Sequence, residues 1–289
     1  MSMLRRAVLF LLALGVVAGC ATLDSKQSEW IFRPVRGDWS GYQGRPAGIE
    51  EVWLQVPGTE SERIHAWWAP QADTAAPVLL YLHGARWNLS GSAYRIERLR
   101  DAGFSVFAID YRGFGQSSGD LPTEAKAYVD AALAWDWLKI RVPQSERRYL
   151  YGHSLGGAVA IDLAAKLDRA DAAGLITEAT FTSVPDVIAA SRYGWLPVGF
   201  LVTQRFEALE KIRKVALPTL ILHGTEDGIV PHTMGDALFN AAAGPKQLVK
   251  FAGAGHSSIA RLAFDEYRRT LLDFVAANAP TGGPAHAAR

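Results

Sequence analysis

Ser154 is the residue with the strongest claim to chemistry. It stands in Gly152-His153-Ser154-Leu155-Gly156, a G-x-S-x-G string whose flanking glycines permit a sharp turn that a β-carbon would obstruct. A serine hydroxyl at its free pKa is a poor nucleophile, so a base must lie near it in space. The chain downstream offers His223, His232, His256 and His286. His256 lies in Gly253-Ala254-Gly255-His256-Ser257, after the last apolar run and before the last helical stretch, where a general base for a strand-borne serine belongs. His286 falls in a tail expected to be disordered, His232 opens a helix after Pro231, and His223 reads as a structural residue packing at the sheet edge. The base needs an orienting acid. Glu226 and Asp227 both qualify by type, and Asp227 is preferred because its Asp-Gly turn can aim a carboxylate at the next loop.

Attack on a carbonyl also creates an oxyanion that needs two fixed N–H donors. The Leu155 amide opens the helix after the serine, where the dipole favours negative charge. The other donor is expected from Leu82-His83-Gly84-Ala85-Arg86, with the Ala85 amide preferred and Arg86 as the alternative. His83 reads as a brace for this loop. Asp110-Tyr111-Arg112-Gly113-Phe114-Gly115-Gln116-Ser117 reads as scaffold, its Asp and Arg pinning loops together. No metal-ligand spacing is present, and Gly113-Phe114-Gly115 lacks the third glycine of a dinucleotide turn. Neither metal nor cofactor is expected.

Such residues act only if the elements around them hold them at one end of a sheet. Val52 to Val56 and Ile64 to Trp68, joined through Pro57-Gly58, read as an antiparallel pair. Runs at 77–82, 105–109, 148–151, 174–177, 219–222 and 247–251 read as further strands, making eight, with the first two antiparallel. Helices are expected from about Ser92 to Gly103, over 123–140 with Val129, Leu133 and Trp137 as the apolar stripe, over 155–167, and over about 259–275. Strands alternating with helices imply an α/β chain with a mostly parallel sheet and helices on both faces. Sites in such sheets lie beyond the carboxyl ends of the strands, which is where Ser154, Asp227 and His256 fall.

The 289 residues, 49% apolar, suffice for one large core. Thirty basic against 29 acidic residues, a net charge of +1, give no electrostatic case for nucleic acid. Arg5 and Arg6 precede the apolar run Ala7 to Gly19, too short for a spanning helix, which needs about 20 residues. It fits a signal peptide over 1–19. The run ends in Val17-Ala18-Gly19-Cys20, the one cysteine of the chain, which resembles a bacterial lipobox with Cys20 as the lipidated residue. Ala21 after it resembles lipoproteins sent on to the outer membrane. Residues 20–50 read as a tether with little regular structure, 51–278 as the catalytic domain, and 279–289 as a disordered tail.

The strings HGA, DYRGFGQS, GHSLGG, HGTEDGIVP and GAGHSS, in that order, resemble the α/β-hydrolase superfamily, and within it the serine-aminopeptidase-like and depalmitoylase-like branch with a small cap. The resemblance spans about Glu51 to Val275. It implies the α/β-hydrolase fold, the triad Ser154, Asp227 and His256, an oxyanion hole from Ala85 and Leu155, and a cap over about 179–217. It also implies a serine hydrolase acting on a small acyl ester or thioester. Acyl transfer, aminopeptidase action and a non-catalytic lipid-anchored binding protein are the alternatives. The cap's Trp195, Leu196, Val198, Phe200 and Leu201 are expected to line an acyl pocket, and the protein is expected to be a monomer.

Overall fold

Short apolar runs make the centre of the sheet because each can be buried on both faces, and a more polar run, half-exposed, closes one edge. In the computed structural model, which describes residues 22–42 and 44–279, these are β3 (Val78–Leu82), β4 (Ser105–Ile109), β5 (Arg148–His153), β6 (Gly174–Glu178), β7 (Thr219–Gly224) and β8 (Lys246–Phe251). With β1 (Glu50–Gln55) and β2 (Arg63–Ala69) they form one eight-stranded sheet in the order β1-β2-β4-β3-β5-β6-β7-β8. The expected hairpin of β1 and β2 is present, but β2 is antiparallel to β4 as well. Among the described strands β2 alone therefore runs against the rest, and the fold is the eight-stranded, mostly parallel α/β-hydrolase sheet.

Alternation along the strands divides the core in two. Val78, Leu80 and Leu82 face a layer built by α3 (Glu124–Arg141), α4 (Leu155–Ala164), α6 (Ala208–Ile212) and α7 (His232–Ala241). Leu79 and Tyr81 face α2 (Leu89–Asp101) and α9 (Phe264–Ala277). Helix α2 starts three residues earlier than expected because the Asn88 side chain accepts from the Gly91 amide at 2.9 Å and caps it. The closing helix is broken at Ala263 into α8 (Ile259–Leu262) and α9. On α3 the expected stripe is displaced. Val129 is 48% exposed, and Ala127, Ala131, Ala134, Trp135 and Leu138 make the buried face. Small residues there let α3 lie close to α4, while Trp137 sits at the margin, stacked on Phe107 at 4.1 Å.

The Asp110–Ser117 turn is tied down on every side. Asp110 accepts from the Leu89 amide at 2.8 Å, the Ser117 hydroxyl donates to the Asp110 carbonyl, and Arg112 donates to Asp130 at 2.7 Å and to Glu62 at 2.7 Å.

The segment read as a tether is largely ordered structure. Residues 22–32 are helical (α1), Phe32 is fully buried in the larger core, and residues 35–37 pair with the Gly115 turn. The cause is local. Phe32 edges against Phe114 and Phe206, and Gln27 bonds both the Leu201 carbonyl and the Thr203 amide. Residues 1–21, including the expected signal segment and Cys20, and the tail from 280 lie outside the described residues. The cap interval holds α5 (Val184–Ala190), a short turn at Gly199–Leu201 and α6.

Gly156, at the head of α4, sets how closely that helix approaches β3. A β-carbon there would fall 2.0 Å from the Leu82 carbonyl oxygen and 2.5 Å from that of His83, both backbone atoms that cannot rotate away. Gly156→Ala is therefore expected to lower stability by about 3 kcal/mol or prevent folding. Gly228→Ala, with open space around it, should cost less than about 0.5 kcal/mol. Urea denaturation of both variants checks the contrast; equal midpoints would contradict it.

Candidate active site

The turn from β5 into α4 places Ser154 at φ 54°, ψ −119°, a region costly for a non-glycine residue. Close packing holds it there. A β-carbon on Gly152 would lie 2.2 Å from the Gly156 carbonyl oxygen, and one on Gly157 1.8 Å from the Thr180 hydroxyl. The Ser154 amide donates to the Glu178 carbonyl at 2.8 Å, which ties the turn to β6. Behind it, the Glu178 carboxylate is buried against Arg95 and the Tyr151 hydroxyl.

The loops after β7 and β8 bring the other two groups. Asp227 stands three residues past β7 and His256 five past β8. The loops are stitched together: the Thr225 and Glu226 amides donate to the Phe251 and Ala254 carbonyls at 3.0 and 2.9 Å. His256 Nε2 is 3.0 Å from Ser154 Oγ, and its Nδ1 is 2.8 Å from Asp227 Oδ2. Glu226, the alternative acid, is exposed, and the hydrogen-bond partner of His256 Nδ1 is Asp227 instead. Asp227 Oδ1 also accepts from the Ile229 and Val230 amides, both at 2.9 Å.

His223 is not at a sheet edge, because β8 lies outside β7. It is buried with Nε2 3.3 Å from Asp227 Oδ2 and 3.0 Å from the Val230 carbonyl. Burial alone would raise the Asp227 pKa. Hydrogen bonds from His223, His256 and the Val230 amide, with the His256 charge, outweigh it and hold the carboxyl below the usual carboxylate range. The group therefore stays ionised beside the imidazole. His153 supports the base from below. Burial, then the nearby Arg95 and His256, keep its imidazole well below the ordinary histidine pKa. The neutral ring meets the His256 carbonyl through Nε2 at 2.9 Å. Neither support is evident in the strings: His153 is the variable position of its motif, and His223 merely closes a strand.

The Arg86 amide donates to the Phe32 carbonyl at 2.7 Å and is thereby occupied. The Ala85 and Leu155 amides have no hydrogen-bond partner among the described residues, and both residues border the same cavity as Ser154. His83, fully buried, pairs its Nδ1 with the Gly84 carbonyl at 2.7 Å and packs on Tyr111 and Phe114. It braces the loop.

That cavity, of about 810 Å³, has Phe181, Val184, Val187, Ile188 and Val202 in its wall. Helix α5 presents Val184, Val187 and Ile188 at the spacing of one helical face. The expected lining residues are elsewhere: Trp195 and Phe200 are 78% and 79% exposed, and none of Trp195, Leu196, Val198, Phe200 or Leu201 borders the cavity. Of that segment it is Ser191 and Tyr193 that border the cavity. In place of the expected residues α1 contributes Gln27, Trp30 and Ile31. Spacing of Leu23, Gln27, Trp30 and Ile31 by four, three and one residues, with Pro34 as a stop, is the helical signal that marks this segment. No group of three or more His, Cys, Asp or Glu side chains that could hold a metal ion occurs among the described residues.

A proton can pass from the serine hydroxyl to an imidazole whose far nitrogen is held by an ionised carboxylate, with two free amides facing the same space. Comparison with known proteins places this geometry in a family. Residues 73–198 match the family "Serine aminopeptidase, S33". An uncharacterised Mycobacterium tuberculosis protein, Rv2307c, is 34% identical over 92% of this chain and 94% of its own. Human alpha/beta hydrolase domain-containing protein 17B is 30% identical over 87% and 84%. In fold, the Pyrococcus furiosus esterase Pf2001 superposes with a TM-score of 0.65 at 18% identity, over 84% of this chain and 96% of that one. The chain belongs to the α/β-hydrolase superfamily and is a hydrolase.

Proposed function

We propose that this hydrolase cleaves carboxylic esters or thioesters through an acyl-enzyme on Ser154 while anchored to the bacterial envelope through Cys20. The observation that carries the chemistry is the chain of contacts from Ser154 Oγ to His256 Nε2 at 3.0 Å and from His256 Nδ1 to Asp227 at 2.8 Å. As Ser154 Oγ bonds to the substrate carbonyl carbon, His256 takes its proton and Asp227 stabilises the imidazolium. The amides of Ala85 and Leu155 hold the oxyanion. Collapse breaks the bond to the alcohol or thiol, which leaves with the proton from His256. Water then attacks the acyl-enzyme by the same route and frees Ser154.

Two features favour an ester over an N-terminal peptide. The apolar wall suits an acyl chain. An aminopeptidase would need an acidic group for the substrate ammonium, and no Asp or Glu lines the cavity, whereas Arg33 and Arg86 do. Pf2001, the structural neighbour, is named an esterase. The membrane reading rests on the lipobox-like end of residues 17–20 and on where α1 leads. That helix is described from Thr22 onward, just past Cys20, and it reaches the cavity. Exposed Trp30 on α1 and Tyr193 on the cap loop border the cavity, and exposed Leu23, Trp195, Phe200 and Leu201 on the same two segments add apolar surface suited to a lipid interface. The outer membrane, on its periplasmic side, is the proposed location.

Ser154→Ala should abolish ester turnover, and Asp227→Asn should lower kcat by about 10⁴, as removal of the orienting carboxylate does in other triads. Glu226→Gln should be near wild type; a larger loss there than in Asp227→Asn would transfer the acid role to Glu226. Across p-nitrophenyl esters, each methylene buried adds about 0.8 kcal/mol, close to fourfold, so kcat/KM should rise from acetate to medium chains and fall again at palmitate, with aminoacyl anilides slower. Preference for the anilides would make the protein a peptidase. Intact-mass analysis of membrane-extracted protein should find acylglyceryl mass on Cys20, and Cys20→Ser should leave the membrane fraction; an unmodified Cys20 would refute the anchor.

A further inference from the structure

We propose that the cleft beside Ser154 selects acyl esters whose alcohol moiety carries a negative charge, a phosphate or a carboxylate, held by Arg33 and Arg86. The inference rests on the serine-esterase reading above and names its substrate class. The cavity has two unlike kinds of lining. Phe181, Val184, Val187, Ile188 and Val202 offer only hydrocarbon, while Arg33 and Arg86 border the same space as Ser154 with no carboxylate among the lining residues.

Both arginines are exposed, and neither side chain has a hydrogen bond or ion pair among the described residues. Arg95, Arg112, Arg148 and Arg205 are bonded to protein oxygens; Arg169, Arg268 and Arg269 are also without such bonds among the described residues, but they do not border the cavity of Ser154. Both also sit where glycine is the easier choice. Arg33 follows the end of α1 with φ +46°, and Arg86 lies in the oxyanion loop with φ +70°. Left-handed backbone at two neighbouring non-glycine positions is the kind of outlier from which a functional role is inferred. The positions are neighbours because the Arg86 amide bonds the Phe32 carbonyl, the residue before Arg33.

The fold asks nothing of these guanidinium groups. A ligand can use them. A guanidinium is a planar fork of donors that matches a phosphate or carboxylate. A substrate with its acyl chain on the hydrocarbon lining and its carbonyl oxygen at the Ala85 and Leu155 amides leaves its alcohol moiety to the cationic lining. The chemistry is unchanged: the acyl C–O bond breaks, the anionic alcohol leaves with the proton from His256, and water releases the acid.

The test uses the full-length protein in a non-ionic detergent with 1-decanoylglycerol, 1-decanoylglycerol 3-phosphate, 3-decanoylglycerate and p-nitrophenyl decanoate. The readout is the kcat/KM ratio of each anionic ester to neutral decanoylglycerol. Wild type should favour at least one anion by about tenfold or more, the effect of one hydrogen bond to a charged group, and the two anions separate a phosphate site from a carboxylate site. Arg33→Gln and Arg86→Gln should each lower the ratio, and the double variant should bring it near one. Arg33→Gly removes the charge and relieves the left-handed backbone, so it should fold at least as well and lose the same selectivity. A ratio near one in wild type, or one unmoved by the double variant, overturns the anion site while cleavage of p-nitrophenyl decanoate leaves the esterase reading standing. No cleavage of any ester, p-nitrophenyl decanoate included, overturns both.

Discussion

The strained backbone of Ser154 is the constraint on which the rest of the site depends. At φ 54°, ψ −119° the residue occupies a conformation that costs about 1–3 kcal/mol and persists only where the surroundings over-determine it. Here they do. Gly152, Gly156 and Gly157 pack against backbone or Thr180 at distances that exclude any β-carbon, and the Ser154 amide is bonded to β6. The sheet, the fully buried α4 and the small residues between α3 and α4 together hold one hydroxyl out at the strand ends.

The polar groups around that hydroxyl form two layers. Ser154, His256 and Asp227 make one line of hydrogen bonds, the line proposed to react. Behind it, His223 lies 3.3 Å from Asp227 and His153 bonds the His256 carbonyl, so Asp227 and His256 are each fixed by a buried imidazole. Deeper still, Arg95, Glu178, Tyr151 and Tyr267 share one buried network, which neutralises the Glu178 charge directly below the serine turn. A buried carboxylate without such partners would cost several kcal/mol.

The strand ends, the elbow and the acid loop were legible because each is a local pattern: a continuous apolar run, glycines at fixed offsets, a turn dipeptide. That Asp227 rather than Glu226 meets His256 is a placement the Asp-Gly turn alone points to. Other features depend on contacts between distant segments. The occupied Arg86 amide answers to Phe32, 54 positions away, and the burial of Phe32 answers to Phe114 and Phe206. Segment 22–32 resembles a tether because it runs into the stretch punctuated by Pro34, Gly37, Gly41, Gly44, Pro46 and Gly48; its helix is completed by partners in the cap. The cap misled in the opposite way. Trp195 and Phe200 are the bulkiest apolar residues there, yet they face outward, and the smaller Val184, Val187 and Ile188 line the cavity. Hydrophobicity marks a residue for contact with something, and it does not say whether that partner is the core, a substrate or a membrane.

Covalent labelling shows whether Ser154 is a nucleophile activated by His256. A fluorophosphonate traps a serine only when its hydroxyl attacks phosphorus, so labelling reads nucleophilicity without assuming a substrate. Peptide mapping of the labelled protein should find the adduct on Ser154, and labelling should vanish in Ser154→Ala and fall steeply in His256→Ala. An adduct on another residue, or undiminished labelling of folded Ser154→Ala, would contradict the account.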